Sequence, residues 1–407
     1  MRRAAGVRDG RAVRDAADVQ DEDGFEPVAG GRGAAGVRNG SGVQGGSGVP
    51  GPGGVPGRSG LPEGRGDAAA VARDGSGGTG ARETGGRSGW RLRWGRDRRG
   101  RTAWSRGRVL AVLAALTAWL IVFHPVVPDL PGRPGSLVEA FLPWLGLLVP
   151  VLVAAGLVRR SATALLAALL PVTAWAGTFG GLLLPAPDAR HDLTVVQHNV
   201  SDENADPAGT ARALAAARPD LIALQEVTPR ALPAYRAALS ARYPHHEVRG
   251  TVGLWSAHPL TDVRALDIRP RGVEPGWRRA LRATASTRHG DVAVYVAHLP
   301  SVRLNARGFD AARRDESAGL LGSLLAAEPL DRVVLLGDLN GTVDDRGLAP
   351  LTSRLGTAGT GFAFSWPASA PLARIDHVLA RRAEVLRIWT LPPTGSDHLP
   401  VAARLAY

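Results

Sequence analysis

The distribution of apolar residues divides the chain into three regions. Up to about Gly89 the chain is rich in Gly, Arg, Ala and Asp and contains no long apolar run. Long apolar runs follow, and from Leu193 onward short runs of Val, Leu and Ile alternate with stretches of helical spacing. A segment as polar as the first cannot bury enough apolar surface to offset the entropy of ordering it. The pattern therefore predicts a disordered tail over residues 1–108, a membrane segment over 109–186 and a folded domain over 187–407.

Three apolar runs, at residues 109–127, 137–158 and 161–184, are each long enough to cross a bilayer as a helix, because a hydrocarbon core of ~30 Å needs about 20 helical residues. The alternative is a buried helical hairpin inside a soluble domain. It is disfavoured because Glu139 is the single charged residue within the three runs. We therefore predict three transmembrane helices before the folded domain, which would make the chain a multi-pass protein of the cell membrane.

The charge distribution predicts how these helices are oriented. The net charge is +12, all 49 basic residues are Arg, and eight of them lie between Arg91 and Arg108 against one Asp. Arg159 and Arg160 separate the second and third apolar runs. Because cytoplasmic loops carry an excess of basic residues, the N-terminus and the turn at Arg159 are expected in the cytoplasm, and three crossings then put the folded domain outside the cell. Topology and lipid contact account for the basic run better than nucleic-acid binding does.

The region from Leu193 onward has the pattern of an α/β domain. Many of its strands are not separated by crossover helices, so a pair of mixed β-sheets covered by helices fits better than a doubly wound parallel sheet. The predicted strands are residues 193–197, 221–224, 251–255, 281–287, 292–297, 333–336, 375–379, 385–389 and 401–405. The predicted helices are residues 207–217, 229–241, 304–327 and 348–354.

Polar residues suited to metal and phosphate chemistry recur at the ends of these strands. They are Asn199, Glu226, His298, Asp338, Asn340, Asp376, Asp397 and His398. Each alone is typical of a turn or a surface position, but strand ends are where side chains can converge on one pocket. The chain contains no Cys, which excludes disulfides, thiolate metal sites and a Cys nucleophile. Carboxylate and amide oxygens without thiolates favour Mg²⁺ or Mn²⁺.

Six short blocks resemble the endonuclease/exonuclease/phosphatase superfamily, which includes pancreatic-type deoxyribonucleases, apurinic endonucleases, neutral sphingomyelinases and inositol polyphosphate phosphatases. The blocks are Gln197-His198-Asn199-Val200, Leu224-Gln225-Glu226-Val227, Val296-Ala297-His298-Leu299, Leu336-Gly337-Asp338-Leu339-Asn340, Arg374-Ile375-Asp376-His377 and Gly395-Ser396-Asp397-His398-Leu399-Pro400-Val401. Gly-Asp-x-Asn followed by Ser-Asp-His-x-Pro-Val is the most specific part. The resemblance covers residues 193–407, and it implies a four-layer α/β sandwich that hydrolyses phosphate esters with a divalent metal.

For the metal, the resemblance implies Glu226 as the principal ligand, helped by Asn199 and Asp397. Several relatives have an acidic residue two places after that Asn, where this chain has Ser201. Asp202 is one position out of phase and would point to the other side of an extended segment. The identity of the third ligand is therefore open.

For the reaction, the resemblance implies His398 as the general base, oriented by Asp376 in a carboxylate–imidazole pair. Asp338 and Asn340 would hold the attacking water and a phosphoryl oxygen. His298 would donate to a phosphoryl oxygen or to the leaving group. Such a site neutralises the phosphoryl charge and activates a water, which phosphate ester hydrolysis requires.

Other conspicuous residues are interpreted as structural. Four are expected to be buried supports: His198, His377, Trp255 and Trp366. Four are expected to face solvent, in a loop or on a helix: His245, His246, Arg313 and Arg314.

The predicted anchor narrows the expected substrate to a lipid-linked pyrophosphate or a phospholipid at the outer face of the membrane. Three spans before an exterior domain with these blocks resemble the membrane-bound teicoplanin-resistance proteins of actinomycetes, which are thought to act on undecaprenyl pyrophosphate. A membrane-tethered extracellular nuclease is the alternative, disfavoured because a nuclease needs a basic groove and the exterior domain has no Lys and no long basic run. A non-catalytic receptor or scaffold that keeps the fold is a third interpretation.

Overall fold

The computed structural model describes residues 107–185, 189–306 and 308–407, so the predicted disordered tail lies almost entirely outside the described residues. The helices, numbered along the chain, are α1 Arg108–Phe123, α2 Pro134–Ala140, α3 Leu148–Val158, α4 Ala162–Ala167, α5 Leu169–Phe179, α6 Pro207–Ala216, α7 Leu232–Leu239, α8 Ala312–Ala326 and α9 Ala349–Thr352. The strands are β1 Leu193–Asn199, β2 Leu221–Gln225, β3 His245–Arg249, β4 Val252–Ser256, β5 Leu260–Ala265, β6 Ala280–Thr287, β7 Gly290–His298, β8 Arg303–Asn305, β9 Gly308–Asp310, β10 Val333–Asp338, β11 Asp376–Arg381, β12 Glu384–Thr390 and β13 Val401–Ala406. Short 3₁₀ helices cover His124–Val126, Leu142–Leu147, Gly180–Leu183 and Arg346–Leu348.

Two of the three predicted spans are continuous apolar helices. The segments Arg108–Val126 and Ala162–Leu183 are long and apolar enough to cross a membrane. The middle segment is instead bent by 72° between Pro134–Ala140 and Leu142–Val158, so the described chain has two candidate spans, or three if the bent pair counts as one.

Pro143 explains the bend. A proline has no backbone N–H, and its ring clashes with the carbonyl four residues earlier, here that of Glu139. That carbonyl accepts a hydrogen bond from the hydroxyl of Thr342 (3.2 Å) in the following domain. The proline thus breaks the helix where the folded domain meets it, and the predicted middle span is a bent pair, so the described chain fits two spans or the three predicted.

The domain after the membrane segment is an α/β sandwich built on two mixed sheets. One sheet has the strand order β12-β13-β1-β2-β4-β3, and the other has the order β11-β10-β7-β6-β5. A hydrophobic core fills the space between the sheets. Helices α6 and α7 pack on the outer face of the first sheet, and α8 and α9 pack on the outer face of the second. The arrangement of helices, sheet, sheet and helices is the predicted four-layer sandwich.

Strand positions differ from the prediction mainly at the edges. The edge strands β3 and β5 are not predicted, since their residues are only half-buried or exposed and form no apolar run. The predicted helix over residues 304–327 begins only at Ala312, because the hairpin of β8 and β9 precedes it. In that hairpin the N–H of Phe309 donates to the carbonyl of Gly132 (3.0 Å), and a Cβ on Gly308 would lie 2.3 Å from Cα of Gly132. Tertiary contact with the membrane segment thus replaces the start of the helix.

Polar contacts of side chains also join the membrane segment to the sandwich. The guanidinium of Arg346 binds the buried carboxylate of Glu139, with Nη2 and Oε1 2.7 Å apart, and Arg133 pairs with Asp315. The indole N–H of Trp144 donates to the carbonyl of Leu372 (2.7 Å). The two parts of the described chain are therefore packed together and are not joined by a flexible tether alone.

Candidate active site

The candidate active site lies where the core between the two sheets ends. Side chains at alternate positions of a strand share a face. In β1, Val195 belongs to the core between the sheets, and Gln197 and Asn199 continue the same face as polar side chains. In β10, Leu336 belongs to that core and Asp338 continues its face. The alternation that directs apolar side chains into the core therefore also places these polar side chains at the end of the core.

Strand pairing alone places Asp338 between two other predicted site residues. The strand β10 lies between β7 and β11, and the register puts Asp338 beside His298 on one side and beside Asp376 on the other. Neighbouring side chains on adjacent strands are about 5 Å apart at Cβ. Accordingly, Nε2 of His298 is 3.7 Å from Oδ2 of Asp338.

Asn199 connects the two sheets across the site. Its Nδ2 donates to Oε1 of Glu226 (2.9 Å) and to Oδ2 of Asp338 (3.2 Å). Glu226 directly follows β2 and has a φ of 60°, a left-handed conformation that a Glu rarely adopts and that concentrates at functional sites. The backbone N–H of Asp202 donates to Oε2 of Glu226 (3.2 Å), and Nε2 of His298 lies 3.8 Å from its Oε1.

Asp376 and His398 form the predicted carboxylate–imidazole pair. Nδ1 of His398 is 2.8 Å from Oδ2 of Asp376, and Nε2 of Gln197 donates to Oδ1 of Asp376 (2.6 Å). With both oxygens of Asp376 engaged, Nε2 of His398 faces the rest of the site, 3.8 Å from Oδ2 of Asp338. An imidazole held this way has its orientation and tautomer set by the carboxylate.

Burial raises the pKa values of the two carboxyl groups that Asn199 bridges. Burial raises the pKa of Glu226 above its ordinary value, although the hydrogen bond from Asn199 opposes this. Burial raises the pKa of Asp338 to about 7, against the attraction of His398. The physical cause in each case is the loss of hydration of the carboxylate, which a bound cation would offset.

The two histidines of the site have opposite pKa shifts. Burial alone would lower the pKa of His398, but the carboxylates of Asp376 and Asp338 raise it to about 10. In return, although burial favours its neutral form, the charge and hydrogen bond of His398 hold the pKa of Asp376 below its ordinary value. Burial lowers the pKa of His298 well below its ordinary value, and the charge of Arg279 acts in the same direction. His298 is therefore neutral at neutral pH.

The donor set fits a divalent cation best on the Glu226 side. Oxygens of Glu226 and Asp338 converge on the same amide nitrogen, and hard oxygen donors of this kind suit Mg²⁺. As oriented, Asn199 donates from Nδ2 to these carboxylates while its Oδ1 accepts the N–H of Ser201 (3.1 Å), so ligation by Asn199 would require its amide to turn and give up that contact. A second grouping places ligand atoms of Asp338, Asp376 and His398 within 4.8 Å of one another, but hydrogen bonds already occupy both oxygens of Asp376 and Nδ1 of His398.

The remaining predicted residues lie at the margins of this cluster. The N–H of Asn340 donates to Oδ1 of Asp338 (2.9 Å), while its side-chain Nδ2 donates to the carbonyl of Leu299 (2.8 Å). Asn340 therefore holds Asp338 in place through its backbone. Asp397 is 65% exposed, with Oδ2 4.0 Å from Nε2 of His398. The structure thus brings the eight predicted residues into one neighbourhood, with Asn340 and Asp397 at its edge.

Sequence reasoning missed two residues that support the site. Gln197 fixes Asp376, and its position two residues before Asn199 on one strand face is a signal that could have identified it. Arg314, predicted as part of an exposed helix face, is fully buried. Its Nη2 donates to Asp345 (2.6 Å) and its Nη1 donates to the carbonyl of Asn340 (3.0 Å). The prediction for Arg314 is wrong because two of its partners, Asp345 and the carbonyl of Asn340, are distant in sequence and meet it only in the folded domain.

The other structural interpretations can be compared with the described residues. His198, His377 and Trp255 are buried as predicted. Trp366, predicted to be in the core, is instead 41% exposed. His245 and His246 lie in the edge strand β3 and not in a loop, and the ring of His246 stacks on Trp255 with centroids 6.0 Å apart. A polar edge strand is readily mistaken for a loop because one face has no apolar residues to bury.

Comparison with known proteins locates the family. Residues 196–398 match the endonuclease/exonuclease/phosphatase family. Among curated proteins none matches the chain significantly. The chain is similar in structure to sphingomyelinase C from Streptomyces griseocarneus (22% identity, 55% of this chain and 100% of that chain covered, TM-score 0.41). It is also similar to a β-toxin variant from Staphylococcus aureus with bound magnesium ions (15%, 52% and 99%, TM-score 0.42) and to an endonuclease/exonuclease/phosphatase from Beutenbergia cavernae DSM 12333 (21%, 53% and 72%, TM-score 0.42).

Structural likeness at these identities and TM-scores does not establish a shared activity. The sequence match is the stronger finding, because it spans all of the strand ends from β1 to His398 that form the site. Members of this family are phosphoesterases, including phosphodiesterases, sphingomyelinases and nucleases. Through its α/β sandwich, the chain belongs to the endonuclease/exonuclease/phosphatase family.

Proposed function

We propose that the protein is a Mg²⁺-dependent phosphoesterase of the cell membrane that hydrolyses a lipid-linked pyrophosphate or a phospholipid at the outer face. The observation that carries the proposal is the packing of the site-bearing sandwich against the apolar segments: Arg346 binds Glu139 in the bent pair and the carbonyl of His124 in the first membrane-length helix. A catalytic domain held in this way meets substrates embedded in the same membrane more readily than soluble ones.

The residues of the site have distinct tasks in the proposed reaction. Mg²⁺ bound by Glu226 and Asn199 would supply positive charge that polarises a phosphoryl oxygen and, by the same charge, lowers the pKa of His398 towards neutrality. Nε2 of His398 accepts the proton of the attacking water, and Asp376 holds Nδ1 and stabilises the imidazolium that forms. Neutral His298 donates a hydrogen bond to a phosphoryl oxygen or to the leaving group.

The test measures hydrolysis by the full chain in lipid nanodiscs: inorganic phosphate from undecaprenyl pyrophosphate, the monoester and alcohol products of phosphatidylglycerol, and shortened fragments of double-stranded DNA, each with Mg²⁺ and with EDTA. We expect Mg²⁺-dependent hydrolysis of one of the two lipids, abolished in His398→Ala. A control variant, His246→Ala, changes an imidazole on the edge strand β3 and should retain activity. Cleavage of DNA alone would establish the tethered nuclease. A lack of hydrolysis of all three substrates, with and without Mg²⁺, would favour a non-catalytic scaffold.

The sidedness of the domain belongs to the same proposal. The Arg cluster before the first apolar segment and the pair Arg159-Arg160 between the second and third favour a cytoplasmic N-terminus, and three crossings put the site outside. This requires the bent middle pair to cross the membrane as one broken span.

A further inference from the structure

An apolar pocket of about 390 Å³ lies between the membrane segment and the sandwich. Its volume is within the usual range of ligand pockets, about 300–1,000 Å³. Residues from both parts of the chain line it, among them Pro143, Trp144, Gly146, Trp175, Phe362 and Phe364. The ring of Trp144 stacks on Phe364 with centroids 5.4 Å apart, so the pocket wall is also part of the contact between the two regions.

The two tryptophan side chains that line the pocket offer no free N–H group to a ligand. The N–H of Trp144 donates to the carbonyl of Leu372 (2.7 Å), and the N–H of Trp175 donates to the carbonyl of Pro143 (2.8 Å). Both donors are therefore satisfied within the protein, and the rings present their apolar faces. A ligand with a charged or hydrogen-bonding group would lose hydration in the pocket without compensation. The chemistry of the lining selects a hydrocarbon.

The edge of the pocket is continuous with the surface that the helices would turn to lipid. Leu147 lines the pocket and is 60% exposed. Leu148, the next residue and the first of α3, is also exposed and lies in the same candidate broken span. A hydrocarbon chain can therefore enter from the apolar phase without crossing a polar barrier.

Two consecutive residues connect the pocket with the Asp376–His398 pair: Phe364 lines the pocket, and Ser365 contacts the backbone of Asp376. The segment from Phe362 to Ser365 runs between them, and its side chains reach both. Phe362 and Phe364 line the pocket, whereas Oγ of Ser365 lies 3.4 Å from the N–H of Asp376. The carbonyl of Ser365 also accepts the N–H of Leu399 (2.8 Å), the residue after His398.

We infer that this pocket holds a hydrocarbon chain of the lipid substrate while the phosphate group of the same molecule lies at the site around Asp338. The inference rests on the proposed function and adds the element that recognises the lipid portion. Because the bilayer core is as apolar as the pocket, the pocket gains little affinity from burial and acts by positioning the chain. It makes the enzyme selective for long-chain substrates.

The experiment compares Val149→Trp, which fills the pocket from α3, with Leu148→Trp, an equal change at the neighbouring residue outside the lining. Both full-length variants and the wild type are assayed in nanodiscs with long-chain and short-chain forms of each head group: dipalmitoyl and dibutyroyl phosphatidylglycerol, and undecaprenyl and isopentenyl pyrophosphate. For Val149→Trp we expect a loss of at least about tenfold on the long-chain substrate, the factor that 1.4 kcal/mol represents, and no change on the short-chain one. Leu148→Trp should match the wild type on both.

A second readout is independent of catalysis. A phosphatidylglycerol with a diazirine at the end of one palmitoyl chain is photolysed with each protein, and the labelled peptides are identified by mass spectrometry. Label on the peptide containing Phe362 and Phe364 is expected in the wild type and in Leu148→Trp, and its loss in Val149→Trp. These aromatic residues belong to the sandwich, so their labelling does not follow from membrane insertion alone.

The outcomes separate this inference from the proposed function. Wild-type inactivity toward every lipid, with labelling intact, overturns the proposed function and the assignment of the pocket to a substrate chain. Equal losses on long-chain and short-chain substrates, or none on either, overturn the inference while leaving the function standing. Labelling without any chain-length effect identifies a bystander lipid, which also overturns it.

Discussion

Replacing Glu328 with Gln is expected to lower the stability of the sandwich by an amount that depends on pH. Glu328 follows α8, its side chain is 1% exposed, and it receives Nη2 of the buried Arg282 at 2.9 Å. The hydroxyl of Tyr295 also donates to it (2.7 Å). Burial opposes ionisation, but the hydrogen bonds from Arg282 and Tyr295 lower the pKa of Glu328 from 4.5 to about 2.

The magnitude follows from linkage between protonation and folding. A folded-state pKa of about 2 against 4.5 for the free group corresponds to roughly 3 kcal/mol at 1.36 kcal/mol per pKa unit. Since the folded-state pKa is the lower one, this stability is fully present above pH 4.5, falls to roughly 1.4 kcal/mol at pH 3 and is lost near pH 2. At about 2–4 °C per kcal/mol for a domain of this size, Glu328→Gln should lower Tm by on the order of 6–12 °C at pH 7.

The assay is thermal unfolding of the full chain in detergent, followed by tryptophan fluorescence at pH 7 and pH 3. Glu316→Gln is the matched control, because Glu316 lies on α8 and pairs with Arg271 (2.8 Å), whose side chain is 94% exposed. An exposed pair of this kind contributes little, so its Tm should stay close to that of the wild type. The reasoning is refuted if the difference in Tm between Glu328→Gln and the wild type is the same at both pH values.

Three further predictions concern the site and its setting. In steady-state assays, His398→Ala should reduce kcat by about 10²–10⁴-fold and Asp376→Asn somewhat less. The double variant should lose little more than His398→Ala alone, since residues acting as a unit are non-additive. Multiplicative losses would mean that His398 is not the base that Asp376 orients. Glu226→Gln should shift activation to higher Mg²⁺ concentration because a ligand charge is removed, and an unchanged Mg²⁺ titration would place the ion elsewhere. A reporter that matures only outside the cytoplasm, fused after Tyr407, should be active, whereas activity of a cytoplasm-specific reporter alone would mean that the bent pair does not cross the membrane.

The central strands and the site residues were predictable because their signals are local. The strands β1, β2 and β10 are buried on both faces since the core and the outer helices cover both, and such strands contain short apolar runs. The polar residues that end them, such as Asn199 and Asp338, stand out against those runs. We expected these residues to converge because they lie at strand ends. The physical reason is the register of β10, which places Asp338 beside His298 and Asp376.

The parts that were not predictable depend on contacts between distant segments. The edge strands β3 and β5 gain their conformation from pairing with β4 and β6 and carry no apolar pattern of their own. Arg314 is buried where Asp345 and the carbonyl of Asn340, both distant in sequence, accept its hydrogen bonds. The pocket beside Trp144 requires two segments more than two hundred residues apart and leaves no trace in either one alone.

The attachment of Arg346 to Glu139 has a kinetic consequence. Arg346 binds Glu139 and directly follows Asp345 in the chain. Asp345 accepts a hydrogen bond from Arg314, which also donates to the carbonyl of Asn340. The contact with the membrane segment is therefore within three hydrogen bonds of the backbone that supports Asp338. In the proposed function, a domain fastened this close to its reactive groups would keep a fixed height and orientation above the bilayer. Its encounters with a lipid substrate would then take place in two dimensions. We expect the rate at fixed bulk lipid concentration to follow the mole fraction of substrate in the membrane and to fall when inert lipid dilutes it.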